Sequence, residues 1–203
     1  MSVSSNKSHF RATATALGGR IAAMGTATTR PQLQIRPARE DDAASLCEIF
    51  NEAVQDHLET FDAAPRQADD QRLWIAAAEQ DPKHPILVAD IKNWVAGWTT
   101  LVSYDPRIAL DDIGEVYVYV RRTFRGYGVG RQLLGAIQET AEKLGYRKLV
   151  GRILAENRDA LLLVRAAGWR DVGRQVAHAR LSDGLHDVVI LECLLPSPAA
   201  PPT

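Results

Sequence analysis

Between residues 32 and 195 the spacing of apolar positions switches repeatedly between a period of two and a helical period. "LQIRPA" reads as a short strand closed by Pro37. "EDDAASLCEIFNEAV" sets Ala43, Leu46, Ile49, Phe50, Ala53 and Val54 at helical spacing behind acidic residues that suit a helix N-terminus. "DDQRLWIAAAEQ" predicts a second helix ending near Asp81-Pro82. "PILVAD" and "WVAGWTTLVSY" predict strands parted by the polar turn region "IKN". "EVYVYV" alternates strictly, with Val116, Val118 and Val120 on one face and Tyr117 and Tyr119 on the other. Gly126, Gly128 and Gly130 follow. From Val129 a helix carries Leu133, Leu134, Ile137, Ala141 and Leu144 on one face, with Gly145 where a C-terminal cap glycine belongs. "RKLVGRILA" predicts a strand, "RDALLLVRAA" a short helix, and "WRDVGRQVAHARL" with "HDVVILECLL" a closing strand pair. Strands and helices in this order predict an α/β fold, a mixed sheet packed by helices. Periodicity leaves the strand order open.

Composition narrows the classes. The 203 residues carry a formal charge of −1 and are 46% hydrophobic, which suits one soluble domain, here residues 32–195, with a tail at each end. So balanced a charge gives no global footprint for nucleic acid or an anionic membrane, and no apolar run approaches the ~20 residues of a membrane span. Residues 1–31 are rich in Ser, Thr, Ala and Arg, with no acidic residue before Glu40. That composition fits an organelle transit peptide, a disordered extension, or an over-long start with Met24 as initiator. Residues 196–203 are Pro-rich and are expected not to pack. Cys47 and Cys193 fall in a helix and a strand without metal spacing, so both read as buried, reduced thiols of a cytoplasmic protein, unless residues 1–31 direct it to an organelle. His9, His57, His84, His178 and His186 make no recognisable metal pattern, and no metal is expected.

The densest chemistry is the glycine turn. Glycines let backbone N–H groups approach a ligand, and a helix that starts there favours negative charge. A P-loop would need a Lys and a Ser or Thr after its last glycine, and both are missing. A dinucleotide fingerprint starting at Gly128 would put its last glycine at Leu133, late in the chain rather than opening a βαβ unit. What remains is Arg/Gln-x-x-Gly-x-Gly, met as Arg125, Gly128 and Gly130 between a strand and a helix.

That turn resembles the acetyl-coenzyme A turn of the GCN5-related N-acetyltransferases. "IRPAREDD", "VAGW", "VYV", and "EN" followed by "AAGW" stand in the family's order, and the pattern is most similar to phosphinothricin and methionine sulfoximine N-acetyltransferases over about 33–195. The resemblance implies a mostly antiparallel sheet with one splayed strand pair forming the acetyl-CoA cleft. Arg125, Gly126, Tyr127, Gly128, Val129, Gly130 and Arg131 would hold the pyrophosphate. Val118, Tyr119 and Val120 would flank the thioester, with a backbone N–H meeting the oxyanion. Asn157 would touch the pantetheine arm. Arginine suits phosphate oxygens, and Arg121, Arg122 and Arg131 are either such partners or solvated.

The expected reaction moves an acetyl group from acetyl-CoA to the primary amine of a small, amino-acid-like acceptor. An ammonium must first lose a proton. Glu115, four residues before Tyr119 as in the family, is the expected base, directly or through water, or else an idle strand-end glutamate. Tyrosine commonly protonates the leaving thiolate in this superfamily, but neither Tyr117 nor Tyr119 is singled out. Arg107 is the expected cation for an acceptor carboxylate. On the acceptor side the pattern departs from the family: Asp105, Leu110, Ala160, Val164 and Leu185 replace residues usual there. A peptide acceptor and a non-catalytic acetyl-CoA-binding module are the alternatives, and analogy allows a homodimer.

Overall fold

The computed structural model describes residues 33–57 and 59–196. The readings made for residues 1–31 and for 197–203, His9 and Met24 included, lie outside the described residues. Seven strands form one sheet in the order β1-β2-β3-β4-β5-β7-β6. They are β1 (Gln34–Pro37), β2 (Ile86–Ile91), β3 (Trp94–Ser103), β4 (Ile113–Val120), β5 (Lys148–Leu154), β6 (Arg170–Leu181) and β7 (Gly184–Leu194). The helices are α1 (Ala43–Asp56), α2 (Ala68–Gln80), α3 (Val129–Lys143) and α4 (Arg158–Ala166).

Neighbouring strands are antiparallel except β4 and β5, which run parallel. A parallel pair needs a crossover, and α3 supplies it. Between β2 and β3 the expected turn is a two-residue hairpin loop. Lys92 and Asn93 both have positive φ (53° and 67°), as a turn matching strand twist requires. The Asn93 N–H is held by the Asp90 carboxylate at 2.7 Å.

The alternation of β4 sorts the helices onto the two faces of the sheet. Tyr119 faces α1 and α2: its ring meets Phe50 edge-on at 5.4 Å and Trp98 at 4.6 Å. Trp98 in turn takes Trp74 of α2 at 5.6 Å and donates its indole N–H to the Leu46 carbonyl at 3.2 Å. That bond satisfies the one polar atom of a side chain that is 1% exposed. On the other face Val116 packs with Leu134, Ile137 and Ala141 of α3 and with Leu161 and Val164 of α4. Val118 and Val120 lie against Val129 and Leu133. The helical stripes read from sequence are therefore the buried faces of α1 and α3.

Trp98→Ala should remove this shared aromatic contact, leave a cavity between two helices and the sheet, and destabilise the fold by about 3–5 kcal/mol. Urea unfolding of the two proteins measures the difference.

Candidate active site

β4 and β5 pair only from Ile113 to Glu115 against Lys148 to Val150. Beyond that, β4 stays with β3 up to Val120, and β5 stays with β7 up to Leu154, so the two strands part. The Arg121 N–H donates to the Ala96 carbonyl and the Tyr104 N–H to the Ile113 carbonyl. Odd-numbered residues of β4 thus bond to β3, and even-numbered ones turn their backbone groups the other way. Val118 and Val120 lie past the last β5 partner and so direct polar backbone into the gap. On the α3–α4 face of the sheet Trp169 packs over β5, where a Cβ on Gly151 would come within 3.2 Å of its ring.

At the vertex Glu115 is 4% exposed. Its two oxygens accept from Arg152 Nε and Nη2 at 2.6 and 2.8 Å, a bidentate clasp across the diverging strands. Arg152 Nη2 also lies 3.4 Å from the Tyr117 hydroxyl.

The glycine turn closes the far end of the gap. Gly126 and Gly128 have φ of 79° and 82°, a region closed to most side chains. Gly130 is tight for another reason: a Cβ there would lie 3.0 Å from the Leu163 side chain of α4, which would have to shift. The first intrahelical bond of α3 runs from the Gln132 N–H to the Gly128 carbonyl. The N–H groups of Val129, Gly130 and Arg131 precede it and point out of the helix end. A cavity of about 560 Å³ runs from this turn along β4 and β5, with Val118, Tyr119, Val120, Arg125, Gly126, Gly128, Val129, Gly130, Arg131 and Asn157 on its wall. The structure thus brings the expected cofactor residues together, apart from the Tyr127 side chain, which is 79% exposed and off the wall. Asn157 also caps α4, its carbonyl oxygen accepting from the Ala160 N–H at 3.0 Å.

The arginines beside the turn have a different employment from the one expected. Arg121 pairs with Glu48, Arg122 with Asp56, and Arg125 with both Asp56 and Glu59. The Arg122 N–H is also held by Glu52 at 2.6 Å. Their guanidinium groups fasten the turn to α1, with those of Arg122 and Arg125 holding the Asp56 carboxyl below its ordinary value against its burial. Arg131 is exposed, lines the cavity and has no ion-pair partner among the described residues.

A second cavity, about 590 Å³, opens on the α1–α2 face over Trp74, Trp98 and Tyr119. Six residues line both cavities: Glu59, Thr60, Phe61, Tyr117, Tyr119 and Arg152. Burial pushes the Tyr117 and Tyr119 phenols above their usual value, so both are neutral near pH 7. Trp98, singled out in the sequence for its place after "VAG", does line the second cavity. Arg107 does not. Asp105, two residues away, takes its fork at 2.6 Å on both sides, and the bond holds that carboxyl down to about 2. His57 ends α1 in a left-handed conformation, and His186 bonds Asp183 at 2.9 Å. His178 and Arg180 of β6 line the second cavity, and neither has an ion-pair partner among the described residues.

Sequence reasoning missed Arg152, although a lone arginine inside the apolar run "KLVGRIL" was a usable signal. It also missed Glu59, Thr60 and Phe61, whose segment after α1 has no periodicity to read. Among the described residues no helix is long and apolar enough to cross a membrane, and no cluster of three or more His, Cys, Asp or Glu is placed to hold a metal.

The chain is similar to known proteins in sequence and in fold. The family model described as acetyltransferase (GNAT) domain matches residues 32–170. The phosphinothricin N-acetyltransferase of Streptomyces viridochromogenes is 28% identical over 85% of this chain and 93% of its own. The L-methionine sulfoximine/L-methionine sulfone acetyltransferase of Pseudomonas paraeruginosa is 30% identical over 69% of this chain and 81% of its own. The crystal structure of an N-acetyltransferase from Staphylococcus aureus Mu50 superposes with a TM-score of 0.78 at 26% identity, over 81% of this chain and 99% of that one. With its single splayed parallel pair, glycine turn and helix start, the chain belongs to the GNAT family of acetyl-CoA-dependent N-acetyltransferases.

Proposed function

We propose that this enzyme acetylates the primary amine of a small, amino-acid-like acceptor of the phosphinothricin or methionine sulfoximine type. The observation that carries the reading is the meeting of two cavities at one short boundary, one suited to acetyl-CoA and the other to an acceptor. Acetyl-CoA fits the first because the turn offers unpaired backbone N–H groups and two left-handed glycines at a helix start, which suit a pyrophosphate. When bound it supplies the acetyl group as a thioester. Two of the relatives named above carry phosphinothricin and L-methionine sulfoximine/L-methionine sulfone in their names, which supports the acceptor class.

Each residue then has a proposed task. The N–H groups of Val129, Gly130 and Arg131 hold phosphate oxygens, with the free Arg131 side chain beside them, and Asn157 lines the path of the pantetheine arm. The Val118 N–H, turned into the gap, meets the negative charge that develops on the carbonyl oxygen. Tyr117, neutral and on both cavity walls, donates to the departing sulfur; Tyr119 is packed among Phe50 and Trp98 and serves the core. Glu115 holds Arg152 at the junction and reaches an amine only through water. For an acceptor carboxylate, Arg180 replaces Arg107 as the proposed cation, because it lines the acceptor cavity and Arg107 does not. Edge strand β6 leaves Val172 and Val176 55% and 77% exposed, a surface suited to a second copy, and a homodimer is part of the proposal. The thiols of Cys47 and Cys193, which share no disulfide, suit the reducing cytoplasm.

Thiol release from acetyl-CoA, measured with phosphinothricin, methionine sulfoximine, common amino acids, a polyamine and a lysine peptide, tests the reading. Turnover on a small amino acid is expected; turnover on the peptide alone would replace it. Gly128→Glu places bulk and negative charge at a residue with φ of 82°, and calorimetry should find acetyl-CoA affinity lowered by about a hundredfold or more. Arg180→Ala should raise the acceptor KM by about tenfold, the worth of one charge-assisted bond, and leave the acetyl-CoA KM unchanged. Light scattering on the eluting protein should report twice the chain mass.

A further inference from the structure

Acyl transfer can occur only where the two cavities share a wall, and six side chains form that boundary. Phe61 has no polar atom, Arg152 is a cation, Thr60 is a weakly acidic alcohol, and Tyr117 and Tyr119 keep their protons. Among the described residues, one group there can take a proton near neutral pH. We propose that Glu59 is the catalytic base that receives the proton of the acceptor ammonium, an assignment that rests on the acetyl-transfer reading above.

The surroundings of Glu59 fit this duty better than those of Glu115. Glu115 lies on neither cavity wall, and both its oxygens are taken by Arg152. Among the described residues Glu59 makes one ion pair, Oε1 to Arg125 Nη2 at 3.2 Å. Burial, with the negative charges of Asp56 and Glu52 on α1, pushes its carboxyl above the ordinary value, while Arg125 and Arg122 pull the other way. Across the boundary stand Arg152 and the two neutral phenols. Asp62 and His178 line the acceptor cavity but not the boundary, and Asp62 is paired with Arg66 at 3.0 Å. The ammonium gives one proton to a Glu59 oxygen. The freed lone pair forms the C–N bond as the C–S bond breaks, and the second nitrogen proton reaches the sulfur by way of Tyr117. Glu59 then releases its proton to solvent, so each turnover frees one proton.

The test is the pH profile of kcat/KM for wild type, Glu59→Gln, Glu59→Asp and Glu115→Gln on the acceptor found in the panel. Wild type should rise to a plateau once the Glu59 carboxyl has ionised. Glu59→Gln should fall by about a hundredfold at neutral pH. It should then climb with unit slope to the amine's own pKa, where it approaches wild type because free amine no longer needs a base. Glu59→Asp should keep the plateau at a lower height. Calorimetry of acetyl-CoA should agree between wild type and Glu59→Gln within about twofold. Carbon-13 carboxyl spectra should lose one resonance in Glu59→Gln, a resonance that titrates above the usual carboxylate range. An unchanged profile in Glu59→Gln, a uniform loss at every pH, or loss of the plateau in Glu115→Gln or His178→Asn instead would overturn the assignment while leaving acetyl transfer intact. No turnover by wild type on any amine would overturn the acetyl-transfer reading, and this assignment with it.

Discussion

The structure turns on β4 leaving β5 after only three paired residues. Backbone groups inside a fold seek partners, so an interior strand edge without a neighbour is costly. Two pairings keep the gap from closing: β5 is secured along seven residues by β7, and β4 along seven by β3. The Glu115–Arg152 pair then clasps the two strands where backbone pairing stops. A buried carboxylate is expensive to desolvate, and two short charge-assisted bonds offset that expense. The same parting that opens a cleft on one side of β4 exposes Tyr117 to both cavities.

A second constraint fixes the far end. α1 and the glycine turn belong to different faces of the sheet, yet Glu48, Glu52, Asp56 and Glu59 hold Arg121, Arg122 and Arg125 in a row. Seven charges of opposite sign largely cancel, so the acids of α1 present little repulsion to an anion at the turn. In the proposed reading, binding of phosphate then falls to backbone N–H groups and to Arg131. Such groups are placed by the fold itself and lose no rotamer freedom when a ligand arrives.

Much of this was legible before the structure. Strict alternation in "VYVYV" and helical spacing from Val129 fixed which residues face which layer, because burial on one face imposes those periods. The glycine turn was legible for a related reason: Gly126 and Gly128 occupy φ values other residues avoid, and Gly130 packs closely against the Leu163 side chain. What stayed hidden depends on residues far apart in the chain. Arg121, Arg122 and Arg125 looked like phosphate ligands because phosphate and carboxylate make the same demand on a guanidinium. Their partners lie some 70 residues earlier, on a helix whose side facing them shows no separate signal. Arg107 looked free for a substrate, yet the turn places Asp105 within its reach.

The two glutamates show why composition alone cannot assign chemistry. Glu115 stands on a strongly patterned strand at a family position, and its prominence in the sequence comes from that pattern. In the fold each of its oxygens accepts from Arg152, and it lies on neither cavity wall. Glu59 follows a helix end in a segment without pattern, and only the folding of α1 against β4 carries it to the boundary of the cavities. A carboxylate is raised toward neutral pH by losing water without gaining donors in proportion. That balance is set by what the tertiary structure leaves unfilled around Glu59: one guanidinium at 3.2 Å, two acids behind it, and open cavity in front.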